Sequence, residues 1–75
     1  MNDVTIIYCG PCGYGKRAAE AADALERDLS VTAKLVAGKG GIFEVRVNGE
    51  IVAKRVKGHF PDSAEVVGSV SAALK

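Results

Sequence analysis

The chain has 75 residues, 48% hydrophobic and 25% charged, and its ten basic and nine acidic residues leave a net charge of +1. This length has room for one small domain, residues 1–75, and the composition is globular rather than disordered. The near-neutral balance argues against a nucleic-acid or membrane-surface binder, and no run approaches the roughly 18 consecutive apolar residues of a membrane helix.

Residues 4–8, VTIIY, are β-branched and predict a strand. The opening MNDVTIIYCG has an acid where an export signal carries bases, and no long apolar core, so no leader is expected. CGPCGYG, with three glycines and a proline, must be a loop. Residues 15–29 predict a helix: five alanines favour it, and Ala18, Ala22, Leu25 and Leu29 recur on one stripe. Asp23 and Arg27 are spaced for an i, i+4 ion pair on the other side, and Ser30 ends the helix.

Residues 31–37 predict a second strand, and Gly38-Lys39-Gly40-Gly41 a flexible connection. Residues 42–48 alternate, with Phe43, Val45 and Val47 on one face and Glu44 and Arg46 on the other, as in a strand with one wet face. Asn48-Gly49 is a two-residue hairpin signal. Residues 50–56 form the return strand, whose blurred pattern and adjacent Lys54 and Arg55 suit an edge. A loop from Lys57 to Pro61 leads to Asp62-Ser63-Ala64-Glu65, a capping box opening a last helix over 63–74 with Val66, Val70 and Leu74 on its apolar stripe.

The order is βαβββα. A right-handed crossover makes the first two strands parallel, and the hairpin adds two strands antiparallel to the first. The expected fold is a two-layer α/β sandwich with a four-stranded mixed sheet in the order 2-1-3-4. Both helices lie on one face, and the other face is open to water or a partner.

Chemistry concentrates at Cys9 and Cys12, the only cysteines. A bridge between them closes a tiny loop and is a poor staple, so they are expected to serve for their chemistry, in a reducing, cytoplasmic setting. They sit between a strand and a helix N-terminus, where free amides and the helix dipole stabilise a thiolate. Lys16 and Arg17 lie in the first helical turns, where the dipole prefers acids; as electrostatic support they would lower a nearby thiol's pKa. As plain surface residues they would only aid solubility. A closed zinc site needs four ligands, and the chain has two cysteines and one histidine.

Three segments together resemble the selenoprotein W-like (Rdx) family. VTIIYCGPCGY, residues 4–14, resembles its opening strand and YCxxCGY motif. Gly41-Ile42-Phe43-Glu44-Val45, then Val47-Asn48-Gly49, resembles GxFEVxVNG. Gly58-His59-Phe60-Pro61-Asp62 resembles the GGFPD loop. The resemblance implies a thioredoxin-like fold and a thiol oxidoreductase with Cys9 and Cys12 as its catalytic pair and no organic cofactor. Selenium-containing members have selenocysteine at the position of Cys12, whereas thioredoxins attack with the first cysteine. Cys9 is given the edge as attacking group, on the expectation that the first cysteine is the more exposed.

Around this pair, Tyr8, Gly10, Pro11, Tyr14, Gly41 and Phe43 are candidate substrate-binding residues. The tyrosines flank the motif, and Phe43 is either a core anchor or a support under the loop. The Gly38–Gly41 loop stands where thioredoxins place a cis-proline, and leaves room for a substrate backbone. His59 departs from the family's glycine. Lys54, Arg55, Lys57 and His59 form a small basic cluster, either a solubility device or an attractor for an acidic partner or glutathione carboxylates.

The expected substrates are protein or glutathione disulfides, with a thioredoxin- or glutathione-type system as reductant. Two other functions stay open. One is a copper(I) chaperone, though Ile7 stands where such modules have methionine and no strand follows the last helix. The other is a redox-gated interaction domain.

Overall fold

The β-branched run after Asp3 becomes strand β1, Val4–Cys9, in the computed structural model, which describes residues 3–56 and 59–74. The strand runs one residue beyond the expected stretch and takes Cys9 into the sheet. Helix α1, Gly15–Leu29, has the predicted bounds. Strands β2 (Ala33–Gly38), β3 (Phe43–Val47) and β4 (Glu50–Lys54) and helix α2 (Ser63–Ala73) complete the order βαβββα. Strand β2 starts two residues late for a local reason. Ser30 leaves α1 left-handed, with φ of 55°, and the Ser30 and Val31 amides still bond to Glu26 and Leu25 carbonyls. Lys57 and Gly58, read as part of the loop before α2, lie outside the described residues.

The sheet order is β2-β1-β3-β4. Strands β1 and β2 are parallel, and their register ends with Cys9 beside Gly38. Strand β3 is antiparallel to β1, with Tyr8 opposite Phe43 and Val4 opposite Val47. The β3–β4 turn has φ of 54° at Asn48 and 86° at Gly49, the left-handed pair expected of this dipeptide. The blurred pattern of β4 has a cause beyond its edge position. Val45 lies opposite Ala53 and Arg46 opposite Ile51, so Val52 is the extra residue of a β-bulge.

Both helices pack on one face of the sheet and on each other. Val4, Ile6, Phe43, Val45 and Val47 from the sheet meet Ala18, Ala21 and Leu25 of α1 and Val66 and Val70 of α2. The apolar stripe of α1 differs from the expected one: Ala21 and Ala24 are buried, while Ala22 and Leu29 are only half-buried. The helix serves two partners, sheet and α2, so its buried arc is wider than a single stripe. Arg27 bonds Asp28 at 3.3 Å rather than pairing with Asp23, an exposed contact that contributes little.

Helix α2 is capped as its sequence predicts: the Asp62 carboxylate accepts the Glu65 amide at 2.8 Å. The return half of the capping box is replaced, because the Glu65 carboxylate meets His59 Nε2 at 2.8 Å. The opposite sheet face is open as expected. By register it carries Val36 and Ile51, 37% and 44% exposed, and a Glu44–Arg46 ion pair at 2.8 Å. Among the described residues no helix is long and apolar enough to cross a membrane.

Candidate functional site

The cysteine loop is a short excursion pinned at its base. Gly13 donates its amide to the Gly10 carbonyl at 3.1 Å, and Pro11 takes the second place of this turn, where its fixed φ fits. Gly13 has φ of 80°, a conformation that side chains disfavour. The Tyr14 amide then donates to the Cys9 carbonyl at 3.2 Å and closes the loop onto the end of β1. On the sheet side, Cys9 donates its amide to Ile42 at 2.7 Å and Gly10 donates to Gly38 at 3.1 Å. The base is therefore held by β2 and by the segment before β3, and only residues 10–13 project.

The Cα atoms of Cys9 and Cys12 are 5.3 Å apart and the sulfurs are joined as a disulfide. The two are unequal. Cys9 is 1% exposed, whereas Gly10, Pro11, Cys12 and Gly13 are all exposed. This reverses the expectation that the first cysteine is the more accessible. Cys9 ends a central strand flanked on both sides, while Cys12 sits in the projecting turn.

Two features around the pair are set by the backbone. Tyr14 holds the N-cap position of α1 without a side-chain hydrogen bond, and the first turn carries no acid, so the free amides and positive dipole end serve the loop. Gly38, beside Cys9, is closely packed by side chains. A β-carbon there would lie 3.0 Å from Ile42 Cγ2 and 3.4 Å from Ile7 Cγ2. The Gly38–Gly41 loop is thus tightly packed at its first residue. Gly41, half-buried, adjoins Ile42, the hydrogen-bond partner of Cys9.

The expected site residues divide into two groups. Tyr14 lines an open cleft of about 340 Å³ with Arg17, Arg55, Val56, His59 and Phe60. Arg17 lies over the Phe60 ring, its guanidinium carbon 4.3 Å from the centroid, and Lys16 is exposed beside it in the first turn. Tyr8 and Phe43 stand behind. Tyr8 is half-buried with its ring near Gly15, and Phe43 is 2% exposed beneath Phe60, ring centroids 4.8 Å apart. Phe43 is therefore a core anchor that supports a lining residue.

The sequence reading missed Phe60 as the floor of this cleft. Tyr14 meets it edge to face at 5.0 Å, Phe43 from below and Arg17 from above. Its sequence signal was its place in the Gly58–Asp62 segment that resembles the GGFPD loop, an aromatic residue outside any strand or helix. His59, the lone histidine, is paired with Glu65 at the rim. Among the described residues no three His, Cys, Asp or Glu side chains gather as a metal site.

The model of the Rdx family matches residues 3–72. Among solved structures, the chain is similar to a protein from Bordetella parapertussis, with 32% identity over 96% of each chain and a TM-score of 0.81. It is also similar to a selenoprotein W-related protein from Vibrio cholerae, with 26% identity, a TM-score of 0.87, and coverage of 99% of this chain and 98% of that one. No curated protein matches it. The match to the family model, the strand order and the cysteine loop agree: the chain belongs to the Rdx family, with a thioredoxin-like fold and a cysteine pair placed for redox chemistry.

Proposed function

We propose that the protein is a thiol–disulfide oxidoreductase in which Cys12 attacks and Cys9 resolves. The observation that carries this reading is the asymmetry of the pair: an exposed Cys12 in a projecting turn bonded to a buried Cys9 at the sheet end. In the reduced protein the Cys12 thiolate attacks one sulfur of a substrate disulfide. A Cys12–substrate bond forms, the substrate S–S bond breaks, and the leaving thiolate takes up a proton. The Cys9 thiolate then attacks Cys12 Sγ and forms the Cys9–Cys12 disulfide. The second substrate thiol leaves, and two electrons have passed to the substrate. The substrates are protein or glutathione disulfides, and a thiol reductant of the thioredoxin or glutathione type restores the dithiol, in a reducing compartment such as the cytoplasm.

Helix α1 assists by placing unpaired amides at the loop, where negative charge develops on Cys12. Burial of Cys9 keeps substrates from it until the mixed disulfide has formed. The test is the reduction potential of the pair. The protein is equilibrated with graded glutathione buffers, free thiols are alkylated, and the products are counted by mass. A reversible two-electron transition at roughly −180 to −270 mV, the span of working disulfide exchangers, is expected. Thiols that stay unpaired except under harsh oxidant would overturn the reading.

A further inference from the structure

The four arginines of the chain divide in two. Arg27 and Arg46 each pair with a carboxylate, Asp28 and Glu44. Arg17 and Arg55 form no ion pair among the described residues, and both line the cleft beside the cysteine loop. They reach it from separate elements, Arg17 from the first turns of α1 and Arg55 from just beyond β4. Each lies within cation–π reach of an aromatic ring, Arg17 closely and Arg55 at the outer limit. Arg17 lies 4.3 Å from the Phe60 centroid and Arg55 6.0 Å from that of Tyr14, and these two rings touch edge to face. A cation–π contact uses no N–H donor, so a guanidinium held beside a ring can still bind a carboxylate bidentately.

The neighbouring acids are otherwise engaged or apart. Glu65 is bonded to His59, and Asp62 caps α2. Glu20 borders a smaller adjoining cleft with Arg17 but makes no ion pair with it. The chain as a whole carries only +1, so this positive spot is local. Its shape also matters. The cleft is open, whereas small-molecule sites enclose most of their ligand, and Val56, 47% exposed, adds apolar surface at its edge. An extended protein segment fits such a groove.

The cleft adjoins the redox site through two of its lining residues. Tyr14 stands two residues after Cys12, and Arg55 Nη1 is within 3.8 Å of a β-carbon built on Gly41, next to the Ile42 that holds Cys9. We propose that Arg17 and Arg55 bind carboxylates of an acidic protein segment next to the substrate cysteine, and so select acidic protein partners for this site. The selection of redox substrates rests on the exchange reaction proposed above; the binding of an acidic segment does not.

The experiment has two arms. In the first, a fluorescent cysteine-free hexapeptide with three glutamates is titrated against the protein by anisotropy, and its lysine counterpart serves as control. The glutamate peptide is expected to bind more tightly, and less so at high salt. R17Q and R55Q should each weaken it about three- to tenfold, Arg17→Lys less, and Lys34→Gln on β2 not at all. Thermal melts of each variant confirm folding. Equal binding of both peptides, or equal loss in the Lys34 variant, overturns the proposal. So does displacement of the peptide by free glutathione at matching concentration, which would make a small thiol the occupant.

In the second arm, pyridyl-disulfide peptides of both charges are compared by kcat/KM. The wild type should favour the acidic peptide, and R17Q and R55Q should lose that preference. Exchange at normal rates that ignores peptide charge sinks the cleft and leaves the oxidoreductase standing. Absence of exchange with any peptide, while the acidic one still binds as above, sinks the oxidoreductase and leaves the cleft.

Discussion

Cys9 is buried at the end of a central strand, and Cys12, its disulfide partner with a Cα 5.3 Å away, is exposed on the turn that follows. The difference arises from hydrogen bonding on the two flanks of Cys9. Its amide is taken by Ile42, and the next residue, Gly10, is tied to Gly38. Reagents in water therefore meet one sulfur before the other.

In the reduced protein, iodoacetamide should modify Cys12 first, with Cys9 slower by about tenfold or more, since reactivity follows accessibility and thiolate character. Timed quenching and peptide mass mapping give the order. Cys9→Ser should accumulate a mixed disulfide with substrate on Cys12, and Cys12→Ser should form none. Faster labelling of Cys9 would falsify the assigned roles.

Gly38→Val should destabilise the fold by about 1–3 kcal/mol, because the new side chain meets Ile42 and Ile7 in packed space. Gly10→Ala is the matched control. Its β-carbon would lie 3.8 Å from Ala37 Cβ, an ordinary contact, and the change should stay within about 0.5 kcal/mol. Urea denaturation of both variants measures the contrast.

Phe43→Ala should cost about 3–5 kcal/mol, the usual loss for a fully buried ring. Phe43→Leu should cost much less and leave exchange kinetics per folded molecule near wild type, as a core anchor requires. A Leu variant that stays folded but raises KM many-fold would restore Phe43 to the substrate surface.

Asp62→Ala should lose about 1 kcal/mol through the helix cap it supplies. Glu65→Gln alters an exposed contact with His59 at 2.8 Å and should cost about 0–1 kcal/mol. Thermal denaturation of the two variants ranks them, and a larger loss at Glu65 than at Asp62 would contradict the assignment.

Much of the fold was legible because its signals are local. The bounds of α1 follow from its alanines between a glycine-rich loop and Ser30. The hairpin follows from Asn48-Gly49 and the start of α2 from Asp62. The strand order followed once a parallel crossover and a tight hairpin were counted. Where the reading slipped, a neighbour distant in sequence decided. The bulge at Val52 depends on what β3 presents across the ladder, and the buried face of α1 depends on α2 as well as the sheet.

The sequence by itself pointed to redox chemistry at Cys9 and Cys12, two cysteines in a proline–glycine turn between a strand and a helix start. Only the tertiary structure decided which sulfur meets solvent, because burial of Cys9 needs β2 and the segment before β3 on its flanks. It alone also brought Tyr14 and Arg17 against Arg55, His59 and Phe60. These residues stand some forty positions apart in the chain, and no local propensity joins them. The packing of α1 beside the chain that leaves β4 does, as Phe60 settles on the buried ring of Phe43.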